Sequence, residues 1–358
     1  MDFEQNDNMA GGSPPQGPQG PQPPAPVYGA VQSAPPPAQP RKRRGWRIFF
    51  GIVLVMSILA NILLLVVLMG VVALFATGHG GMLVEEVVRE STAKDKIAII
   101  SVEGIIHGQL ANDVYNQLKA AGRDSHVKGL IVRVNSPGGT ISGSDRIYNE
   151  IRRYKAEHGK PVIAFMRGVA ASGGYYTSVA CEKIIAEPTT ITGSIGVISW
   201  WLVVQELLED KLGILPVTIK SGKRKDWPSS FRKPDPEELE YIEDKIITPA
   251  FNRFVDVIAV GRKGTLTIDQ IRRLADGGIF GADEARKEKL IDDIGYLDDA
   301  VALIKKLAGL TEARVVEYRK PFSLAGFLSY QKPTTLRIDR NTLYELGTPQ
   351  ILYLWSAY

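Results

Sequence analysis

The chain of 358 residues holds one cysteine, Cys181, and four histidines, so two common routes to chemistry are closed from the start. A lone cysteine excludes an internal disulfide framework and a cysteine-based zinc site. His79, His107, His126 and His158 are scattered with no H-E-x-x-H, which argues against a zinc hydrolase, and no metal or other cofactor is expected. There is no G-x-S-x-G, the elbow that carries the nucleophile of α/β-hydrolases, and no phosphate-cradling G-x-x-x-x-G-K-[ST]. A large excess of either charge is also missing: 43 Lys and Arg stand against 39 Asp and Glu, a net charge of +4. A nucleic-acid partner needs a dense basic face that releases counterions from phosphates, and a body with a net charge of only +2 from Ile48 onward argues against one.

Three compositional regimes precede the body. Residues 1–40 hold half of the 22 prolines, the acids Asp2, Glu4 and Asp7, and no Lys or Arg. With few apolar side chains and many missing amide donors, this tail cannot offset the entropy of ordering and reads as a disordered spacer or a proline-rich docking segment. Residues 41–47 form a basic collar of Arg41, Lys42, Arg43, Arg44 and Arg47. Residues 48–76 carry no charge and only Ser57 and Asn61 as clearly polar side chains. As a helix this run is about 43 Å long, against about 30 Å of bilayer hydrocarbon, so it spans with room for tilt. It sits too far from the amino terminus, and is too long, for a cleaved secretory signal. Five cations precede the span and none follows until Arg89, which predicts a cytoplasmic tail and an exported body on the periplasmic or extracellular side of the cell membrane. Residues 77–92, opening with T-G-H-G-G, read as a stalk.

From Lys96 onward, short aliphatic runs alternate with amphipathic segments. Ile97–Val102, Gly129–Val134, Pro161–Met166 and Lys183–Ala186 read as strands covered on both faces. Leu110–Ala121 and Ser142–Glu157 have helical spacing between them, which predicts crossover helices on a largely parallel sheet in one α/β domain over 93–310. Ile191–Ile198 reads as a further strand with a glycine bend, followed by helices near Trp200–Leu212, Pro236–Gly261, Ile268–Ala275 and Leu297–Leu307. The apolar stretch Ile198–Val204 reads as core, with a subunit contact or a bilayer-facing rim as the alternative. Residues 311–358 form an extension in which Phe322–Tyr330 and Ile351–Trp355 are apolar enough to dock on the body or on a neighbour.

Two glycine-bearing loops stand at strand ends, where open α/β sheets keep their sites. N-S-P-G-G-T (Asn135–Thr140) allows close approach of backbone amides to a ligand. A-S-G-G-Y-Y (Ala171–Tyr176) opens a helix, where free amides favour developing negative charge. Either motif alone also fits a small-residue turn required only for packing. Together with T-G-S-I-G-V-I (Thr192–Ile198) and I-K-S-G-K-R-K-D (Ile219–Asp226), in this order, they resemble the signal peptide peptidase A family of membrane-anchored serine proteases, within the Clp protease and crotonase fold class.

That resemblance covers about residues 95–308 and implies a serine–lysine dyad. Ser172 corresponds to the nucleophile, Lys225 to the general base, Gly139 to an oxyanion-hole amide, joined by the amide of Gly173, and Ser194 to the serine that positions the lysine amine. It also implies a homo-oligomer whose subunits share catalytic groups, acting on remnant signal peptides and other apolar, extended peptides in contact with membrane lipid. The chemistry requires an unprotonated amine, because a serine hydroxyl attacks only when a neighbour takes its proton. Lysine in water has a pKa of about 10.4, so lowering it by about three units requires roughly 4 kcal/mol of environmental bias and hence burial. By residue chemistry alone Lys220 and Lys223 compete for the role, and the expected substrate pockets take small or aliphatic side chains.

Overall fold

A computed structural model describes residues 44–77, 83–320 and 350–355 of the chain. The proline-rich tail (1–40), the first part of the basic collar and Phe322–Tyr330 lie outside the described residues.

The first element, α1 (Arg44–Thr77), is a helix of 34 residues with no acid in its first turn. Its stretch Gly45–Val72 is long and apolar enough to cross a membrane, and its side chains, from Trp46 to Val72, are exposed all round. A helix without a polar face has no stripe with which to choose one protein neighbour, as suits a lipid surround.

The second compact unit follows a strand–helix alternation. β1 (Val84–Arg89), β2 (Lys96–Glu103), α2 (Gly108–Arg123), β3 (Val127–Ser136), β4 (Gly138–Thr140), α3 (Ile141–His158), β5 (Val162–Ala171) and α4 (Gly173–Ser178) form its first part. β6 (Lys183–Ala186), β7 (Ile191–Gly193) and β8 (Ile198–Trp200) follow. The helical part contains α5 (Pro236–Ile242), α6 (Thr248–Gly261) and α7 (Ile268–Leu274), then β9 (Ile279–Gly281), α8 (Ala282–Lys287), β10 (Asp293–Ile294) and α9 (Leu297–Leu307). β11 (Arg314–Arg319) and β12 (Gln350–Leu354) close the described chain.

Nine strands form one sheet in the order β1-β11-β2-β3-β5-β6-β10, with β7 pairing the end of β5 and β9 pairing β7. The pairs from β11 through β10 are parallel, while β1 joins antiparallel at the edge. Both faces are covered, which explains the unbroken aliphatic runs. In β2, Ile97 and Ile99 face the side packed by Ala300, Val301 and Ile304 of α9. Ala98 and Ile100 face the opposite side, with Leu118 of α2, Ile147 and Ile151 of α3 and Phe254 of α6.

The parallel α/β architecture agrees with the sequence reading, and several segments differ from it; the strand expected over Ile191–Ile198, for one, stops at Gly193. The stretch read as a stalk contains β1, whose residues pair with Val315–Arg319, so the sheet begins before residue 93. β11 likewise carries the sheet past residue 310 by pairing with β2. Both are strands that only a partner distant in sequence makes visible. Ile198–Val204 is not core: Ile198, Trp200, Leu202 and Val203 are exposed, because β8 lies in a separate small sheet with β12 and β4. The helix expected over Trp200–Leu212 begins only at residue 205, and it is π-wound at Leu207–Lys211.

Candidate active site

β5 ends at Ala171, and the next residue, Ser172, turns the chain into α4. Its backbone is held at φ 52°, ψ −114°, a region natural to glycine and strained for a side-chain-bearing residue. Of three non-glycine residues with positive φ among the described residues, two are Ser172 and Ser194, and Lys289 is the third. The pairing of β5 with β7 sets these serines side by side. Ala171 aligns with Gly193, and the Ser172 amide donates to the Gly193 carbonyl at 2.7 Å. Ser194 is secured in turn by its own amide, which donates to the Gly278 carbonyl at 2.6 Å. Both serines are buried.

The N-S-P-G-G-T loop reaches the same place from β3. Gly138 donates its amide to the Ser136 hydroxyl, and Thr140 caps α3 by accepting from the Gly143 amide. Ile106 anchors the loop from the other side, donating to the Gly138 carbonyl and accepting from the Thr140 amide, both at 2.7 Å. A side chain on Gly139 would stand 2.0 Å from the Ile106 carbonyl, so only glycine fits. Gly173 is equally confined: an added Cβ would meet the Ser144 hydroxyl at 2.4 Å and the Gly138 Cα at 3.1 Å. The fold therefore brings Ser172, Gly173, Gly139 and Ser194 together, four of the five residues singled out from the sequence.

The fifth, Lys225, stands on an exposed loop, and among the described residues no hydrogen bond joins its amine to Ser172. Its neighbours are all committed. Lys220 pairs with Asp226 at 2.6 Å, Lys223 and Arg224 pair with Glu237, and the Arg224 guanidinium lies 4.5 Å from the centre of the Tyr241 ring. Asp226, the acid that would hold a neighbouring lysine protonated, is occupied by Lys220 and Arg232. The hydrogen bond from Lys220 holds its carboxyl below the usual carboxylate range. Lys225 is thus the one cation of K-S-G-K-R-K with no side-chain partner among the described residues.

The only thiol is no rival nucleophile, because burial pushes the Cys181 pKa up to about 12. Among the described residues no cluster of His, Cys, Asp or Glu is arranged to hold a metal ion.

Sequence reasoning did not foresee what lies against the glycine loop. β12 is inserted antiparallel between β4 and β8, pairing Leu352 with Thr140, Tyr353 with Gly139 and Leu354 with Gly138 on one side, and Ile351 with Ser199 on the other. The apolar composition of Ile351–Trp355 signalled docking, but nothing in it named this partner.

Residues 154–311 match peptidase family S49, and residues 85–190 match the Clp protease family. A protein of Enterococcus faecium that carries the name signal peptide peptidase SppA is 39% identical over 256 residues, which span 68% of this chain and 72% of the relative. The chloroplastic serine protease SPPA of Arabidopsis thaliana is 33% identical over 69% of this chain and 38% of its own. Protease 4 of Salmonella typhi is 33% identical over 62% of this chain and 36% of its own.

Proposed function

The chain belongs to peptidase family S49 and is a serine endopeptidase, and from that premise we propose that Ser172 is its nucleophile and Lys225 its general base. The observation that carries this reading is the strained, buried Ser172, placed between Ser194 and the Gly139–Gly173 pair. In the proposed reaction the Lys225 amine takes the hydroxyl proton as the Ser172 oxygen attacks the substrate carbonyl. The amides of Gly139 and Gly173 stabilise the oxyanion, the amine returns the proton to the leaving nitrogen, and water releases the acyl-enzyme.

Lys225 is exposed here, and the proposed role requires its amine to be withdrawn from water. The chain before it supplies a means. Residues 213–220 form neither helix nor strand, and Leu215, Val217 and Ile219 are 73%, 78% and 96% exposed. Packing this arm on a second copy would bury apolar surface and withdraw Lys225 from water in the same contact. We therefore place the complete dyad at a subunit boundary, with Ser172 and Lys225 from different copies.

In this reading α1 anchors the protein, and the basic collar before it sets the peptidase on the exported side of the membrane. The substrates are apolar extended peptides, and the name of the Enterococcus relative points to signal peptides among them. A fluorophosphonate probe applied to the detergent-solubilised full chain is expected to label Ser172, with labelling and peptide cleavage both lost in Ser172→Ala and Lys225→Ala. Undiminished cleavage by either variant would overturn the assignment.

A further inference from the structure

The register of β12 on β4 carries information about what the site accepts. The Trp355 amide donates to the Pro137 carbonyl at 2.8 Å. Hydrogen-bonded pairs alternate along an antiparallel ladder, so Tyr353 and Gly139 form the next such pair, and the Gly139 amide faces the Tyr353 carbonyl. The same carbonyl oxygen lies 3.1 Å from where a Cβ on Gly173 would be. The chain's own strand therefore presents the Tyr353 carbonyl to the two glycines assigned to the oxyanion, as the acyl-donating residue of a substrate would.

The side chain of that residue fills a built pocket. Tyr353 is completely buried, stacked on Tyr176 (ring centres 5.0 Å apart, 24° between planes) and tilted against Phe254 at 4.8 Å. Its hydroxyl donates to the Ala250 carbonyl at 2.7 Å. The stacking wall is itself fixed, since the Tyr176 hydroxyl donates to Asp145, which also accepts from Arg253 at 2.9 Å. An aliphatic side chain would meet the walls but not the stack, and phenylalanine would leave the Ala250 carbonyl without the phenol.

We propose that this pocket selects tyrosine at the substrate residue whose carbonyl is attacked, in place of the small or aliphatic residues expected from the sequence. The proposal rests on Ser172 being the nucleophile. It is tested with the full chain in detergent and a series of acylated peptides that differ only at the attacked residue: Tyr, Phe, Leu or Ala. The expected order of kcat/KM is Tyr above Phe by about threefold to tenfold, the size of one neutral hydrogen bond, with Leu at least about tenfold below Tyr once the aromatic contact is also lost. The chain's own Tyr353 competes with every peptide alike and cancels from these ratios. In Phe254→Leu the Tyr-to-Leu ratio should contract, and being a ratio within one preparation it is insensitive to partial misfolding. If that variant does not fold, the wild-type series decides alone. Leu or Ala matching or exceeding Tyr, with Ser172 labelled by the fluorophosphonate, would overturn the pocket assignment only. No cleavage of any peptide and no labelling of Ser172 would overturn the nucleophile assignment and this inference with it.

Discussion

The Ser172 amide donates to the Gly193 carbonyl at 2.7 Å, and this bond holds the strained turn after β5 beside the next strand end, where Ser194 also adopts a positive φ. Neither serine reaches this conformation by local preference. The sheet imposes it, and the expectations below follow from that and from the contacts around it.

Replacing Ser172 with glycine removes the side chain that is strained at φ 52°, ψ −114°. Relief of the strain, less the added entropy of the unfolded glycine, leaves a stabilisation of about 1 kcal/mol. Ser172→Gly should therefore show a raised denaturation midpoint together with complete loss of probe labelling. An unchanged or lowered midpoint would mean that the turn holds no strain.

Gly173→Ala drives a methyl into the Ser144 hydroxyl and tilts the amide proposed to hold the oxyanion. Activity should fall about a hundredfold or more, as when one oxyanion donor is lost. Adding Ser144→Ala removes the nearest obstruction but leaves the Gly138 contact, so rescue should be partial. Purely additive losses in a double-mutant cycle would show that the Ser144 contact is not the cause.

If the dyad is shared between copies, Ser172→Ala and Lys225→Ala are each inactive alone, yet mixing and reassembling them should restore a fraction of wild-type turnover. Lys220→Ala and Lys223→Ala should retain activity, because both ammonium groups are already paired with carboxylates. No recovery on mixing, despite shared assembly, would confine both groups to one copy.

Acid stability is set in part by Asp292. Burial raises its carboxyl pKa, but the hydrogen bond and charge of Arg262, 2.7 Å away, together with the Ile184 amide and Lys183, more than reverse this and hold it below the ordinary 3.8. A lowered folded-state pKa contributes stability above the unfolded value and loses it as pH falls through the folded value. Thermal melts should therefore weaken as pH drops below about 4. Asp292→Asn should be less stable near neutrality and flatter in the acid range; an unaltered acid slope would contradict the assignment.

Legibility in the sequence followed the locality of the interactions. The aliphatic runs predict Lys183–Ala186 with its observed limits and β2 and β3 to within two residues, because strands covered on both faces carry their own signature, while β5 continues five residues past Met166 to Ala171. β1 escaped because V-E-E-V-V-R is exposed along its whole length and is a strand only through its pairing with β11. Among site residues, the serine and glycine positions were marked by motifs whose small residues the turns require. Lys225 is marked in the sequence only by the resemblance, since residue chemistry alone leaves Lys220 and Lys223 as competitors; that those two pair with Asp226 and Glu237 is visible only in the fold.

The sequence by itself determined the apolar span, the parallel α/β domain and the loops that hold Ser172 and Gly139, since each depends on composition or on spacing within a few turns of chain. Only the tertiary structure decided that Tyr353 lies against Gly139 with its ring packed on both Tyr176 and Phe254. That contact joins residues from four separate elements, and strand register and ring packing across such separations are settled by the whole fold's burial and hydrogen bonding, to which no local stretch of sequence has access.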